Sequence, residues 1–294
     1  MPFSGRAPEK LLHAIVITRM GEGLGDTGLI GEAGQQRALD AIHELLLAAA
    51  PYSPEGVCAL GMEAFRRASN GAVLAARIQA DTGVPVRILA GREEAALGRE
   101  GVVRALGVPD PLLLVDIGGG STELALTDPP WEVSVPLGAV VATEGWLRGD
   151  PPGAETMSTL RAATHERLAA AYAEAPRTGA PRLVGVGGTV TTYAAIDLVL
   201  DEYDSARVHQ HVLSRARVAE ITQRLAALPL AERRQVPGLH PARAPVILGG
   251  GVLLETAMEV SASQSLTVSE ANLLHAYVVE QAEEAVSRQR SAQH

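Results

Sequence analysis

Hydrophobic residues recur along the chain with two spacings, and each spacing predicts a kind of secondary structure. Short apolar runs bounded by glycine or proline are typical of strands, whereas apolar residues three and four positions apart are typical of helices. Strands are predicted over residues 11–20, 56–60, 84–89, 112–117, 122–126, 131–141, 183–186 and 266–269. Helices are predicted over residues 32–50, 63–82, 155–173, 218–227, 231–235 and 270–286, with others starting near Glu93 and Gly251.

One polar string lies between two predicted strands. It runs Asp116-Ile117-Gly118-Gly119-Gly120-Ser121-Thr122-Glu123. Glycines permit positive φ and leave no Cβ in the way of a ligand, and successive N–H groups can converge on an anion. Ser121 adds a hydroxyl donor, Asp116 is placed to hold a hydrated Mg²⁺, and Glu123 is placed to orient a water. The alternative is a tight glycine hairpin with a capping aspartate, but the complete string favours a phosphate-binding turn.

A second glycine-rich turn follows the predicted strand 183–186. Gly187, Gly188 and Thr189 lead from that strand into a predicted helix. The N–H groups at the N-terminus of a helix bind anions such as phosphate. Two such turns in one chain are stronger evidence for phosphate binding than either turn alone. The predicted phosphate-binding residues of the two turns are Gly118, Gly119, Gly120, Ser121, Gly187, Gly188 and Thr189.

Charge and cysteine content narrow the class of function. The 294 residues carry a formal net charge of −9, which disfavours nucleic acid and anionic membranes as general partners. A local basic patch and a metal can still bind a polyanion. Cys58 is the single cysteine, so an internal disulfide is excluded, and we expect this side chain to be buried in a cytoplasmic protein. No apolar run approaches the ~20 residues of a membrane span.

These motifs resemble the exopolyphosphatase / guanosine pentaphosphate phosphatase (Ppx/GppA) family, which belongs to the superfamily of actin, sugar kinases and heat-shock ATPases. The string 116–123 is similar to the family's second phosphate loop, and the turn at 187–189 to the superfamily's adenosine loop. Residues 64–70 resemble the family's Ala-x-Arg-x-Ala-x-Asn segment, and residues 90–95 its Ser-Gly-x-Glu-Glu-Ala motif. The resemblance extends from about residue 17 to residue 279.

The resemblance assigns roles to residues outside the glycine turns. Glu94 matches the glutamate that activates the attacking water, although two adjacent glutamates at a helix start also simply favour the helix dipole. Arg66 matches the arginine of the family segment, and it either faces the phosphate cleft or is a solvated helix charge. Met62 and Glu63 replace the threonine and serine that precede this segment in the family.

The resemblance also implies the fold and its domains. It implies an α/β protein of two actin-like (ribonuclease H-like) domains with a cleft between them. Domain I is expected over residues 1–91, domain II with both phosphate loops over 92–270, and a C-terminal helix over 271–294 that returns to domain I. The family begins with a strand and an Asp-x-Gly-Ser-Asn loop, a string that this chain lacks. Domain I is therefore expected to lack its first two strands. Either a segment precedes the start of this chain, or residues 1–16 or a partner chain complete the domain.

The function implied is that of a Mg²⁺-dependent phosphohydrolase. It would release terminal phosphate from inorganic polyphosphate or a guanosine pentaphosphate. Glu94 would act as the base, Asp116 and Glu123 would organise the metal, and Arg66 would bind substrate. The alternatives are a catalytically impaired polyphosphate- or alarmone-binding regulator and, third, a sugar or acetate kinase. The family's dimers imply a homodimer, and neither nucleic acid nor membrane is expected as a partner.

Overall fold

The computed structural model describes residues 11–291 except residues 13, 108–110, 177, 178 and 180, with side chains as far as Glu284. The described residues do not include the start of the predicted domain I, residues 1–10, or the end of the predicted C-terminal helix, residues 292–294. The chain divides into two compact units, and the boundary falls between Glu94 and Ala95. No helix among the described residues is long and apolar enough to cross a membrane.

The unit that ends at Glu94 has a small parallel sheet and a helical core. Its elements are α1 (Leu24–Thr27), α2 (Glu32–Ala49), a 3₁₀ turn (Ala50–Tyr52), β1 (Ala59–Gly61), α3 (Glu63–Arg67), α4 (Gly71–Thr82) and β2 (Val86–Ile88). Strands β1 and β2 are parallel, with Ala59 opposite Val86. Buried side chains of α2 and α4, among them Leu39, Leu74 and Ile78, form the core.

The predicted strand 11–20 is wrong for the residues that the structure describes there. Residues 14–19 have no strand structure, and Ile15 and Ile17 are 59% and 38% exposed. The carbonyl groups of Thr18 and Arg19 accept hydrogen bonds from the side chain of Arg37, not from a neighbouring strand. Apolar content alone does not make a strand, because the backbone also needs a partner for its N–H and C=O groups.

Two further predictions in this unit are corrected. The helix predicted over 63–82 is interrupted between α3 and α4, where the Asn70 side chain bonds both the N–H and the C=O of Ile30 at 3.0 and 2.9 Å. Asn side chains compete in this way with helical hydrogen bonds. Cys58, expected to be buried, is exposed.

The unit that starts at Ala95 contains a six-stranded mixed sheet. Its elements are α5 (Gly91–Leu106, which starts before the boundary), β3 (Leu112–Ile117), β4 (Thr122–Leu126), β5 (Trp131–Val135), α6 (Ala139–Trp146), α7 (Ala154–Tyr172), β6 (Arg182–Val186), α8 (Gly187–Asp197), α9 (Ser205–Val208), β7 (Val212–Ser214), α10 (Arg215–Ala227), α11 (Leu230–Arg233), α12 (Ile247–Val260), β8 (Ser265–Val268) and α13 (Leu273–Ser291). The strand order is β5-β4-β3-β6-β8-β7. Strands β3, β6 and β8 are mutually parallel, and β4, β5 and β7 are antiparallel to their neighbours.

Both faces of this sheet are buried, so alternate residues of each central strand enter different cores. Leu113, Val115 and Ile117 of β3 face the large core formed with α7, α8, α10 and α12. Leu112 and Leu114 face a smaller core with Val102 of α5. The period-two alternation of strand side chains therefore places Asp116 on the α5 face of the sheet.

Two boundaries in this unit differ from the prediction. The strand predicted over 131–141 ends at Val135, and residues 139–141 begin helix α6. The change of structure follows from Gly138, because a Cβ there would lie 2.5 Å from the carbonyl carbon of Gly119. Without a side chain at 138, the chain approaches the glycine turn closely and starts a helix against it. The last helix was predicted over 270–286 and instead runs from Leu273 to Ser291.

Candidate active site

The first glycine turn joins β3 and β4, as predicted. Ile117 pairs with Thr122, and the Gly118 N–H donates to the Ser121 carbonyl at 3.0 Å, which closes the hairpin. Neither Gly118 nor Gly119 uses the positive φ that glycine permits. Helix α6 packs directly against the turn, and this close approach depends on Gly138, where a Cβ would lie 2.6 Å from the Gly118 carbonyl oxygen.

Helix α6 fixes the direction of the peptide groups in this turn. The N–H groups of Ala139 and Val140 donate to the carbonyls of Gly118 and Gly119, each at 2.9 Å. With these carbonyls bonded to α6, no described backbone group accepts from the N–H groups of Gly119 and Ser121. Gly119 is exposed, so its N–H can donate to a ligand, whereas Ser121 is buried.

The second glycine turn opens α8 directly after β6, as predicted. Gly187 has a φ of 90°, in the region that favours glycine, and a Cβ at this position would lie 2.6 Å from an Asp116 carboxylate oxygen. No side chain among the described residues caps the helix at Val186. The first N–H groups of a helix have no acceptor within it and carry partial positive charge, so this end of α8 is suited to an anion.

A single pocket brings the two turns together. It has a volume of about 140 Å³, and Gly118 and Gly119 line it together with Gly188 and Thr189. Four of the seven residues in the two turns that the sequence predicted to bind phosphate therefore share one cavity. Gly120, Ser121 and Gly187 are not among the residues that line it. Ser121 is 2% exposed, and its carbonyl holds the hairpin turn.

Arg243 also lines this pocket. Its position matches an arginine of the family that the chain resembles, but the sequence gave it no role. The guanidinium lies against Gly188, where a Cβ would lie 1.5 Å from Nη1. Burial lowers the pKa of Arg243, while Tyr203 and Glu270 nearby favour its charged form. Within the described part of the chain, this guanidinium has no hydrogen-bond partner. A half-buried cation beside two sets of N–H groups is suited to an anion with several oxygens.

Asp116 and Glu123 lie directly opposite each other in the β3–β4 ladder. Opposite residues of an antiparallel pair project from the same face, with Cβ atoms about 5 Å apart. Glu123 is 2% exposed and accepts a hydrogen bond from Ser134 on β5 at 2.7 Å. Neither carboxylate lines the pocket, but an Asp116 oxygen lies against Gly187 of the second turn. Two carboxylates on one face are oxygen donors of the kind that Mg²⁺ commonly uses, with water and phosphate oxygens as its other ligands. The chemistry of these residues therefore fits the predicted metal.

Glu94 and Arg66 meet in the other compact unit. Arg66 Nη1 lies 2.7 Å from a Glu94 carboxylate oxygen, and Glu94 is 6% exposed. Burial raises the pKa of Glu94, Arg66 lowers it, and Glu63 raises it again, so the net shift is upward. Arg66 is not a solvated helix charge, since its guanidinium is bonded and its side chain is 19% exposed. That Glu94 serves as the base and that Arg66 binds substrate stay predictions.

Comparisons with known proteins identify the class. The profile of the Ppx/GppA phosphatase family matches residues 4–285. The chain is 33% identical over 273 residues to Exopolyphosphatase 2 of Mycobacterium tuberculosis, covering 88% of this chain and 85% of that protein. An exopolyphosphatase from Cytophaga hutchinsonii matches with a TM-score of 0.80 and 25% identity, covering 90% of this chain and 87% of the other. The Ppx/GppA family member of Aquifex aeolicus matches with a TM-score of 0.75 and 26% identity, covering 92% and 88%.

These likenesses define an α/β protein with the fold of solved Ppx/GppA structures. The chain belongs to the Ppx/GppA phosphatase family, as its motifs predicted.

Proposed function

We propose that this protein is a Mg²⁺-dependent phosphohydrolase that releases terminal phosphate from inorganic polyphosphate or a guanosine pentaphosphate. The observation that carries the proposal is the pocket in which Gly119, Gly188 and Arg243 meet. Its N–H groups and guanidinium suit phosphate oxygens, and it lies on the unit that holds Asp116 and Glu123. The printed name of the relative, exopolyphosphatase, supports a polyphosphate substrate.

In the proposed reaction, Glu94 accepts a proton from a water whose oxygen attacks the terminal phosphorus, and the bond to the bridging oxygen breaks. N–H groups of the two turns and the Arg243 guanidinium donate to the phosphoryl oxygens. Asp116 and Glu123 would hold the Mg²⁺, and the bound ion would supply positive charge that stabilises the phosphoryl group. The raised pKa of Glu94 suits this role, because a stronger base accepts a proton more readily.

The proposed architecture is two actin-like domains with a cleft, over residues 1–91 and 92–270, and a C-terminal helix over 271–294. The order of the strands from β3 onward, with β4 antiparallel beside β3 and β6 parallel on its other side, supports an actin-like second domain. We also propose that the protein is a homodimer and is located in the cytoplasm.

The test is phosphate release from long-chain polyphosphate and from a guanosine pentaphosphate, with Mg²⁺, by the intact chain and by Glu94→Gln. Glu93→Gln is the matched control, because Glu93 is adjacent and bonds to Arg87 instead. We expect release that Glu94→Gln reduces by about 10²-fold or more and Glu93→Gln leaves intact. Binding of both compounds without release by the intact chain would contradict the enzyme and identify the regulatory binder. Equal loss in both glutamine variants would contradict the role of Glu94.

A further inference from the structure

Arg66 is held from two sides by carboxylates. Its Nη1 bonds Glu94 at 2.7 Å and the Leu89 carbonyl at 2.9 Å. Its Nη2 and Nε bond one oxygen of Glu63 at 2.9 and 3.3 Å. A guanidinium has five N–H donors. The four contacts involve all three nitrogens and use four of these donors. One N–H of Nη2 remains.

Glu63 is as well placed for this contact as Glu94. It is the first residue of α3 and is 9% exposed, so its charge is poorly solvated. Arg67 Nε lies 3.9 Å from its other oxygen, which makes Arg66 its principal partner. A buried carboxylate without a cation is costly, so Glu63 and Glu94 compete for one guanidinium.

The competition has a direction. Among the charged groups described around Glu94, Arg66 favours its carboxylate form and Glu63 opposes it. The charge that Arg66 gives to Glu63 is not available to a third anion. A phosphate arriving at Arg66 would find one unused N–H, on Nη2, and would have to displace a carboxylate to gain a second.

We propose that Glu63 is a positioning residue for Glu94: it holds the far side of Arg66, so that this arginine orients and partly neutralises Glu94 instead of binding substrate phosphate. The statement that Arg66 does not bind substrate phosphate rests on the proposed function. It replaces the substrate contact that the sequence suggested for Arg66. Phosphate binding is then left to the two glycine turns and Arg243.

The direct test is a ¹³C carboxyl NMR titration of the glutamates in the intact chain, with the Glu94 signal assigned through Glu94→Gln. Glu63→Gln keeps an oxygen acceptor for Arg66 and removes the competing charge. We expect it to lower the titration midpoint of Glu94 by about half a pH unit or more, and Glu93→Gln to leave that midpoint unchanged. An unchanged or raised midpoint in Glu63→Gln would overturn the proposal. This measurement needs no activity.

The second test measures tripolyphosphate binding by calorimetry. Glu63→Ser removes the carboxylate from Arg66, and Glu93→Ser is the control of equal charge change. We expect affinity to rise by about fivefold in Glu63→Ser only, because freed charged donors add binding free energy, and the gain to vanish when Arg66→Gln is added. Equal changes of tripolyphosphate affinity in both serine variants would overturn the claim that Glu63 keeps Arg66 from binding phosphate. Absence of binding in every variant would contradict the proposed function, while the titration still decides the Glu63–Arg66–Glu94 coupling.

Discussion

At the scale of single residues, the central feature is a half-buried arginine beside backbone donors. Arg243 lies against Gly188, and only a glycine there leaves room for its guanidinium. The sequence string around the second glycine turn indicated phosphate binding, but Arg243 lies more than fifty residues further along the chain. The resemblance matched Arg243 to a family arginine, but its place in the pocket depends on folding and could not be predicted from the local sequence.

We predict that Arg243→Gln lowers tripolyphosphate affinity by about 10- to 100-fold, since a charge-assisted hydrogen bond contributes about 1.5–3 kcal/mol. Calorimetry measures the affinity, and circular dichroism checks that the variant is folded. Arg224→Gln, an exposed arginine on α10, is the control of equal charge change. An equal loss in both variants would mean that only net charge matters.

A second residue-scale prediction concerns the dependence of activity on pH. Glu94 must be ionised to accept a proton. Burial of its carboxyl, with a smaller contribution from the Glu63 charge, outweighs the effect of Arg66 and keeps the pKa of Glu94 above that of an ordinary glutamate. Activity should therefore fall with decreasing pH through a midpoint above about 4.3. A profile of kcat/KM against pH measures this midpoint. A midpoint at or below the ordinary glutamate value would contradict the assignment of Glu94 as base.

At the scale of elements, the sequence correctly predicted the structures whose hydrogen bonds are local. The prediction failed where a distant segment of the chain had to supply the hydrogen-bond partner. The β3–β4 hairpin, α2, α7 and the turn from β6 into α8 are found as predicted. The apolar segment at residues 14–19 lacks strand structure, because apolar composition does not supply a neighbouring strand. The start of α6 depends on contact with the glycine turn, which no local pattern encodes.

The contact between α6 and the glycine turn gives a stability prediction. Gly138→Ala places a Cβ 2.5 Å from the backbone of Gly119, and neither backbone segment can move without breaking hydrogen bonds. We expect the free energy of unfolding to fall by about 2 kcal/mol or more. Urea denaturation measures it. Gly145→Ala is the control in the same helix, where a Cβ meets nothing within 4 Å, and it should be neutral or slightly stabilising.

The end of α8 carries a pH-dependent contribution to stability. Burial alone raises the pKa of Asp197, but hydrogen bonds from Arg217 and His211 outweigh it and hold the pKa below its usual value. The stabilisation is thus present above the pKa of the unfolded state, about 3.9, and is lost as pH falls through the lower folded value. The His211 ring nitrogen Nε2 lies 2.7 Å from an Asp197 carboxylate oxygen. Among the described residues, no group of three or more His, Cys, Asp or Glu side chains is placed to hold a metal ion.

We predict that Asp197→Asn lowers the free energy of unfolding by about 1 kcal/mol at pH 7 and by progressively less below pH ~4. Urea denaturation at both pH values measures the difference. Asp201→Asn, in an exposed loop position, is the control. A deficit that stays constant into acid would show that hydrogen-bond geometry, not charge, is the source of the stability.

At the scale of the whole molecule, a chain of net charge −9 is proposed to bind a polyanion. Long-range repulsion opposes that binding, so local donors and a metal must outweigh it. The two carboxylates Asp116 and Glu123 would add to the repulsion if no cation were present. Substrate binding and Mg²⁺ binding should therefore depend on each other.

We predict that tripolyphosphate raises the thermal unfolding midpoint much more with Mg²⁺ than with EDTA, because a ligand that binds only the folded state stabilises it. Asp116→Asn should abolish this difference while leaving the protein folded. Thermal denaturation with each ligand alone and together measures the coupling. Equal stabilisation in Mg²⁺ and EDTA would contradict a metal site at Asp116.

The most direct measurement is a crystal structure of Glu94→Gln with tripolyphosphate and Mn²⁺, whose anomalous signal locates the metal. We predict terminal phosphate oxygens on the N–H groups of Gly119 and Gly188 and on Arg243, and an anomalous peak beside the carboxylates of Asp116 and Glu123. Phosphate bound at Arg66, or a metal held away from the two carboxylates, would contradict the account.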